Sequence, residues 1–177
     1  MRHLTLITTG GTIEKTYDEQ TGSLENRRSI VSRMLRRLRL EDTAVSTIEL
    51  MSKDSLFMTD DDRARIVDAV RAAGGTTPSP SSGPRPDRGI IILHGTDTLT
   101  ITGERLHTEF PTPACPIVLT GAMRPYEMVR SDALQNLTES IFATAILEPG
   151  VYCVAHGRAL RFPGVTKDRE RVTFVKP

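Results

Sequence analysis

Short apolar runs alternate with amphipathic stretches along the chain, and this alternation predicts its elements. Leu4, Leu6 and Ile7 lie in a β-prone run over 4–8 that ends at Gly10 and Gly11, the pattern of a strand leaving a sheet through a tight turn. Residues 14–25 are polar, with Tyr17 and Gly22 among them, and predict a mobile loop. From 29 to 40 the apolar positions Ile30, Val31, Met34, Leu35 and Leu38 recur at helical spacing, with arginines between them, so an amphipathic helix is expected. A second strand follows over 45–51. Thr59 with Asp62 three residues later marks a capping-box start for a helix to 73, its buried side carrying Ile66, Val67, Ala69 and Val70.

Segment 74–88 is rich in Gly, Ser and Pro, including Pro78, Pro80, Pro84 and Pro86, and reads as a flexible insertion within one domain. Beyond it, 89–94 is a continuous apolar run of the kind strands show when both faces are covered. A helix over 99–110, a strand over 116–120, a helix over 131–147 and a strand over 151–155 complete the series. Strands alternating with helices define an α/β fold: a Rossmann-like, three-layer α/β/α domain with a mostly parallel sheet.

Composition narrows the function classes. A chain of 177 residues with 38% apolar and 25% charged residues fits one domain with a sizeable core. Lys+Arg 23 against Asp+Glu 22 gives a net charge of +1, no reason to expect a nucleic-acid or membrane partner. Arg27, Arg28, Arg33, Arg36, Arg37 and Arg39 form a local basic cluster, and the basic face of the 29–40 helix is read as solvated ahead of the alternative that it binds nucleic acid. Cys115 and Cys153 do not make a disulfide framework and are expected to be buried and reduced. The apolar run near the N-terminus is too short for a signal peptide and no window reaches the length of a membrane span, so a soluble cytoplasmic protein is expected.

In an open parallel sheet, ligands bind beyond the carboxyl ends of the strands. Those ends deliver Thr9-Gly10-Gly11-Thr12, Ser52-Lys53-Asp54, His94-Gly95-Thr96-Asp97-Thr98 and Gly121-Ala122-Met123-Arg124-Pro125. Such small polar groups suit a small, hydrogen-bonding substrate. No dinucleotide loop, P-loop, zinc spacing or serine elbow is present, so neither a metal nor a cofactor is expected. What remains for covalent chemistry is a threonine on a glycine turn and a second threonine beside an aspartate. A hydroxyl nucleophile needs a base within reach, and a lysine can serve. Lys167, shortly after the fifth strand, is the candidate that could return to the carboxyl edge and join Thr96 and Asp97.

At these residues the sequence resembles the bacterial-type L-asparaginase family of amidohydrolases. The resemblance rests on Thr9-Gly10-Gly11-Thr12-Ile13, His94-Gly95-Thr96-Asp97-Thr98, Gly121-Ala122-Met123-Arg124-Pro125 and Val165-Thr166-Lys167, four motifs in family order. It implies Thr12 as nucleophile toward an asparagine side-chain amide, with an acyl-enzyme that water hydrolyses. It implies Thr96 as the second catalytic threonine, Lys167 and Asp97 as its proton relay, and Asp97 as the acceptor of the substrate's α-amino group. Ser52 resembles the serine that receives the α-carboxylate, and the Ala122 carbonyl resembles the acceptor for the amide nitrogen. Tyr17 resembles the lid tyrosine that orients Thr12. Lys53 stands where family members often carry glutamine, and is expected either to pair with the α-carboxylate or to face solvent.

The expected activity is hydrolysis of L-asparagine to L-aspartate and ammonia, with weak action on glutamine. Another small amide as substrate, or a non-catalytic amino-acid-binding module, are the alternatives. The resemblance covers nearly all of this chain but about the first half of the usual family chain, in which a second domain from a neighbouring subunit closes the site. A single domain over 1–177 that assembles as a homodimer or homotetramer is therefore expected.

Overall fold

The structure, a computed structural model, describes residues 1–76 and 87–177. A six-stranded sheet runs through the centre in the order β4 (Thr43–Lys53), β1 (Arg2–Gly10), β5 (Arg88–Leu93), β6 (Pro116–Thr120), β7 (Gly150–Ala155) and β8 (Arg158–Arg161). The first five strands are parallel and β8 is antiparallel to β7. The α/β reading holds, with the helices divided between the two faces.

The apolar run of β5 shows why this strand is central. Ile90 and Ile92 point into a core shared with α2 (Asp60–Ala72) and α3 (Leu99–Glu109), where Ile66, Val70 and Leu106 are buried. Ile91 and Leu93 point the other way, against α1 (Val31–Leu35) and α4 (Ala133–Ile146), with Met34, Leu137 and Ile141. Each such side chain contributes about 1.5–3 kcal/mol when fully buried, enough to offset the roughly 1–2 kcal/mol of backbone entropy lost per ordered residue. A strand buried on both faces is therefore stabilised at every position, and the fixed strand ends carry the loops of the site.

The capping box on α2 forms as its sequence predicts: the Thr59 hydroxyl accepts from the Asp62 N–H, and the Asp62 carboxylate accepts from the Thr59 N–H. Ile66, Val67 and Val70 are buried beneath it, with Ala69 partly so. Both cysteines are buried and free.

Two expectations are corrected, and the chain after β7 adds elements that the pattern does not announce. Segment 14–25 forms a hairpin of β2 (Thr16–Asp18) and β3 (Ser23–Glu25), because Asp18 accepts from the Gln20 N–H, the Thr21 hydroxyl and Arg27 and so satisfies its turn. The helix expected over 29–40 is α-helical only over Val31–Leu35; Arg37 and Leu38 continue in tighter turns, bonding to the carbonyls three residues back, before Asp42 (φ 49) reverses the chain into β4. After β7 the chain adds β8 and a second hairpin, β9 (Thr166–Asp168) with β10 (Thr173–Val175). The insertion expected over 74–88 lies mostly outside the described residues; of its margins, Arg88 already belongs to β5.

Candidate active site

Three strand ends meet at the carboxyl edge, and glycines let them approach. A Cβ on Gly10, which has φ +94, would stand 2.4 Å from the Lys53 nitrogen at the end of β4. One on Gly11 would stand 2.4 Å from the backbone of Gly95 after β5. Thr12 follows, half-buried, and opens a single 3-10 turn over Thr12–Glu14. That turn is held from below by Glu14, whose buried carboxylate accepts from the Gly10 N–H at 3.0 Å and from the Ser29 hydroxyl. Burial pushes the Glu14 carboxyl above its ordinary pKa, although both hydrogen bonds oppose the shift.

After β5, His94 is fully buried, its ring bonded to the Gly95 carbonyl and the Thr102 hydroxyl at 2.8 Å each. Burial lowers its pKa to about 4, so it is neutral at physiological pH and holds the loop in place. The loop then presents Thr96, which is buried, and Asp97. The β9–β10 hairpin brings Lys167 back to them: its Nζ donates to Thr96 Oγ1 at 2.9 Å and to Asp97 Oδ1 at 3.0 Å. Residues 70 and 71 positions apart thus form one hydroxyl–ammonium–carboxylate group.

The β4 end carries the two predicted residues Ser52 and Lys53. Ser52 is exposed, and the Lys53 ammonium is engaged by Asp62 at 2.5 Å, over the first turn of α2. That contact, more than any other, holds the Asp62 carboxyl at about 2. Sequence reasoning missed the serine three residues later. Ser55 is 1% exposed and its Oγ has no hydrogen-bond partner among the described residues. The Oγ lies 2.4 Å from where a Gly95 Cβ would be, so Ser55 is packed directly against the loop that carries Thr96. A buried hydroxyl without a partner costs roughly 1–3 kcal/mol and marks a place where a ligand atom can complete it. Also missed was the Lys15–Asp54 ion pair at 2.8 Å, which ties the turn after Thr12 to the segment before Ser55. Hydrogen bonding from Lys15 holds the Asp54 carboxyl below its ordinary range.

The loop after β6 completes the wall. A Cβ on Gly121 would stand 2.3 Å from the His94 carbonyl oxygen and 3.2 Å from Thr96 Cγ2, so Gly121 and the buried Ala122 rest on the Thr96 loop. Asp132 at the head of α4 pins this loop by accepting from the N–H groups of Met123 and Arg124. It also bonds His156 Nε2 at 2.8 Å and Asn136 Nδ2 at 3.0 Å, while His156 Nδ1 meets the Thr173 hydroxyl of β10 at 2.9 Å. The Ala122 loop and the hairpin bearing Lys167 are therefore joined by one polar network. Burial pushes the Asp132 carboxyl up, but its hydrogen bonds together outweigh that and leave it below its ordinary value.

Tyr17 stands apart from this cluster. It lies on β2 and is 59% exposed, with its backbone N–H donating to Glu127 at 3.1 Å. Tyr17, Leu24, Glu127 and Met128 border an open cavity of about 480 Å³ between the first hairpin and the loop after β6. Among the described residues no group of three or more His, Cys, Asp or Glu side chains is placed to hold a metal ion, and no helix is long and apolar enough to cross a membrane.

The mostly parallel α/β sheet, with threonines on two adjacent strand ends, defines an asparaginase-like class of fold, and the comparisons agree on family and fold. The sequence profile of the asparaginase N-terminal domain matches residues 3–173, and the chain belongs to that family. It is 34% identical over 116 residues to the L-asparaginase of Thermococcus kodakarensis, covering 65% of this chain and 32% of the relative. It is 31% identical over 142 residues to a glutamyl-tRNA(Gln) amidotransferase subunit of Methanobrevibacter smithii, covering 80% of this chain and 30% of the relative. The solved structure of the thermostable T. kodakarensis L-asparaginase superposes with a TM-score of 0.78 at 25% identity, over 98% of this chain and 51% of that one. The chain thus spans about a third of the length of these curated relatives and about half of that solved chain.

Proposed function

We propose that this chain is an amidohydrolase that converts L-asparagine and water to L-aspartate and ammonia, with glutamine as a weaker substrate. The observation that carries the reading is the Lys167 ammonium shared between Thr96 and Asp97, beside the glycine-built turn that presents Thr12. In this mechanism Thr12 Oγ1 attacks the side-chain amide carbon, the amide nitrogen leaves as ammonia, and water cleaves the resulting ester to regenerate the threonine. Lys167, once it has given up a proton, directs its lone pair at the Thr96 hydroxyl, and the pair moves protons to and from the reacting groups. Asp97 receives the substrate's α-ammonium.

The buried, unpartnered Ser55 suits the α-carboxylate better than the exposed Ser52 does, and Lys53 acts through Asp62 rather than on substrate. The Ala122 carbonyl accepts from the amide nitrogen, and Tyr17 orients Thr12 when the first hairpin closes. The domain formed by these residues assembles as a homodimer or homotetramer; exposed Phe142 and Ile146 along α4 are apolar surface that assembly would cover. Free Cys115 and Cys153 suit a reducing, cytoplasmic setting.

Ammonia release from asparagine, glutamine and a panel of other small amides tests the reading: turnover on asparagine is expected, and silence on every amide refutes it. Thr12→Ala is expected to lower turnover by at least about 1000-fold without shifting the melting temperature. Full activity in that variant removes Thr12 as nucleophile. The likeness to an amidotransferase component supports a second reading, in which ammonia is passed to a partner protein. Free amino-acid amides would then be hydrolysed only when that partner is added.

A further inference from the structure

Asp97, the group proposed to receive the substrate's α-ammonium, is already contacted by two cations, which weakens its hold on a third. Its Oδ1 accepts from Lys167 Nζ at 3.0 Å and also from Arg169 NH1 at 3.2 Å, both from the β9–β10 hairpin. Oδ2 has no hydrogen-bond partner among the described residues. One carboxylate therefore faces two cations before any substrate arrives. A substrate ammonium approaching Oδ2 meets a neutralised group and a surplus positive charge, and like charges at this range repel.

Arg169 is 71% exposed and donates one bond to Asp97, so its guanidinium keeps further donors for an anionic substrate group. We propose that Arg169 is a specificity-determining residue: by sharing Asp97 with Lys167, it shifts preference from substrates with a free α-ammonium toward acidic amides whose amino group is absent or acylated.

This inference deepens the amidohydrolase reading and rests on it for the location of the site, but ligand binding tests it apart from turnover. L-aspartate and succinate differ only in the ammonium group, and their Kd values on the wild-type protein, Arg169→Ala and Arg169→Lys give the ratio directly. The wild type is expected to bind succinate at least as tightly as L-aspartate. Arg169→Ala is expected to move the ratio about fivefold toward L-aspartate, the scale of one partly exposed ion pair, and Arg169→Lys to restore most of it.

A change of both Kd values by the same factor would show Arg169 acting only as a structural prop and overturns the inference, as does a protein that binds neither ligand. The predicted shift in binding together with no ammonia from any amide would uphold Arg169 and refute the hydrolase reading. As a kinetic readout, the KM values for succinamate and asparagine should move in opposite directions between wild type and Arg169→Ala.

Discussion

Thr12 and Thr96 stand at the ends of neighbouring strands, yet they are held by opposite means. The Thr96 side is fixed by charge: a buried hydroxyl, a lysine returned from a distant hairpin, a carboxylate, and a neutral histidine beneath them. The Thr12 side is fixed by shape: glycine contacts with two other loops, a short 3-10 turn and one buried glutamate under it, with an exposed hairpin beyond. Under the proposed mechanism, charge fixes the groups that move protons, and close contact fixes the atom that attacks. The Thr96 side is therefore tied together by contacts among side chains, whereas the Thr12 side runs on into a hairpin that leaves Tyr17 in solvent.

Removing the charge should erase this contrast most fully. Lys167→Met takes away both bonds to Thr96 and Asp97, and kcat is expected to fall about 100-fold, the scale of a general acid–base group, with a circular dichroism spectrum like that of the wild type. A near-normal rate would mean that the Thr96 side has no part in proton transfer.

Glu14→Gln probes the other half. The burial-raised pKa of Glu14 means that the folded state binds its proton more tightly than the unfolded chain does. Its favourable contribution is therefore full below the ordinary carboxylate pKa and lost as pH rises through the raised folded value. Glutamine can keep an acceptor for the Gly10 N–H and never ionises. The variant's melting temperature relative to wild type is expected to rise by a few degrees between pH 4 and pH 7. A difference that stays constant across that range would show that the carboxylate bears no burial cost. Smallest of all, Lys53→Gln is expected to leave the KM for asparagine within about twofold while lowering the melting temperature slightly through the weakened start of α2, because Lys53 is bound to Asp62. A KM change of tenfold would instead place Lys53 on the substrate.

Legibility in the sequence followed the range of the forces at work. The central strands and α2, α3 and α4 are set by local periodicity and capping, so Ile90 to Leu93 and the Thr59–Asp62 box declared themselves. The β2–β3 and β9–β10 hairpins have strands of only three residues, too short for a period to show even where Phe174 of β10 is buried in the core, and their turns are set by hydrogen bonds to the side chains of Asp18 and Asp168 that no period records. Thr96, Asp97 and Lys167 were named because their residue types matched a motif, and the hairpin that unites them came only with the fold. The burial of Ser55 against Gly95, beside an exposed Ser52, could not be read in one dimension, because a strand end and a turn three residues later look alike there. Arg169 gave no signal, since a contact between an exposed side chain and a loop 72 residues away leaves no spacing to recognise.

The mutual contact of Gly11, Gly95 and Ser55 has a consequence for how such a site can diversify. Any side chain larger than hydrogen at either glycine collides with backbone or with the Ser55 hydroxyl, so those positions offer no gradual route to a new substrate. Variation is channelled to the two free margins, the hairpin of Tyr17 and the turn of Arg169, where side chains are exposed and a substitution disturbs few neighbours. A library aimed at changing substrate range should therefore be drawn from the rim and leave the floor intact.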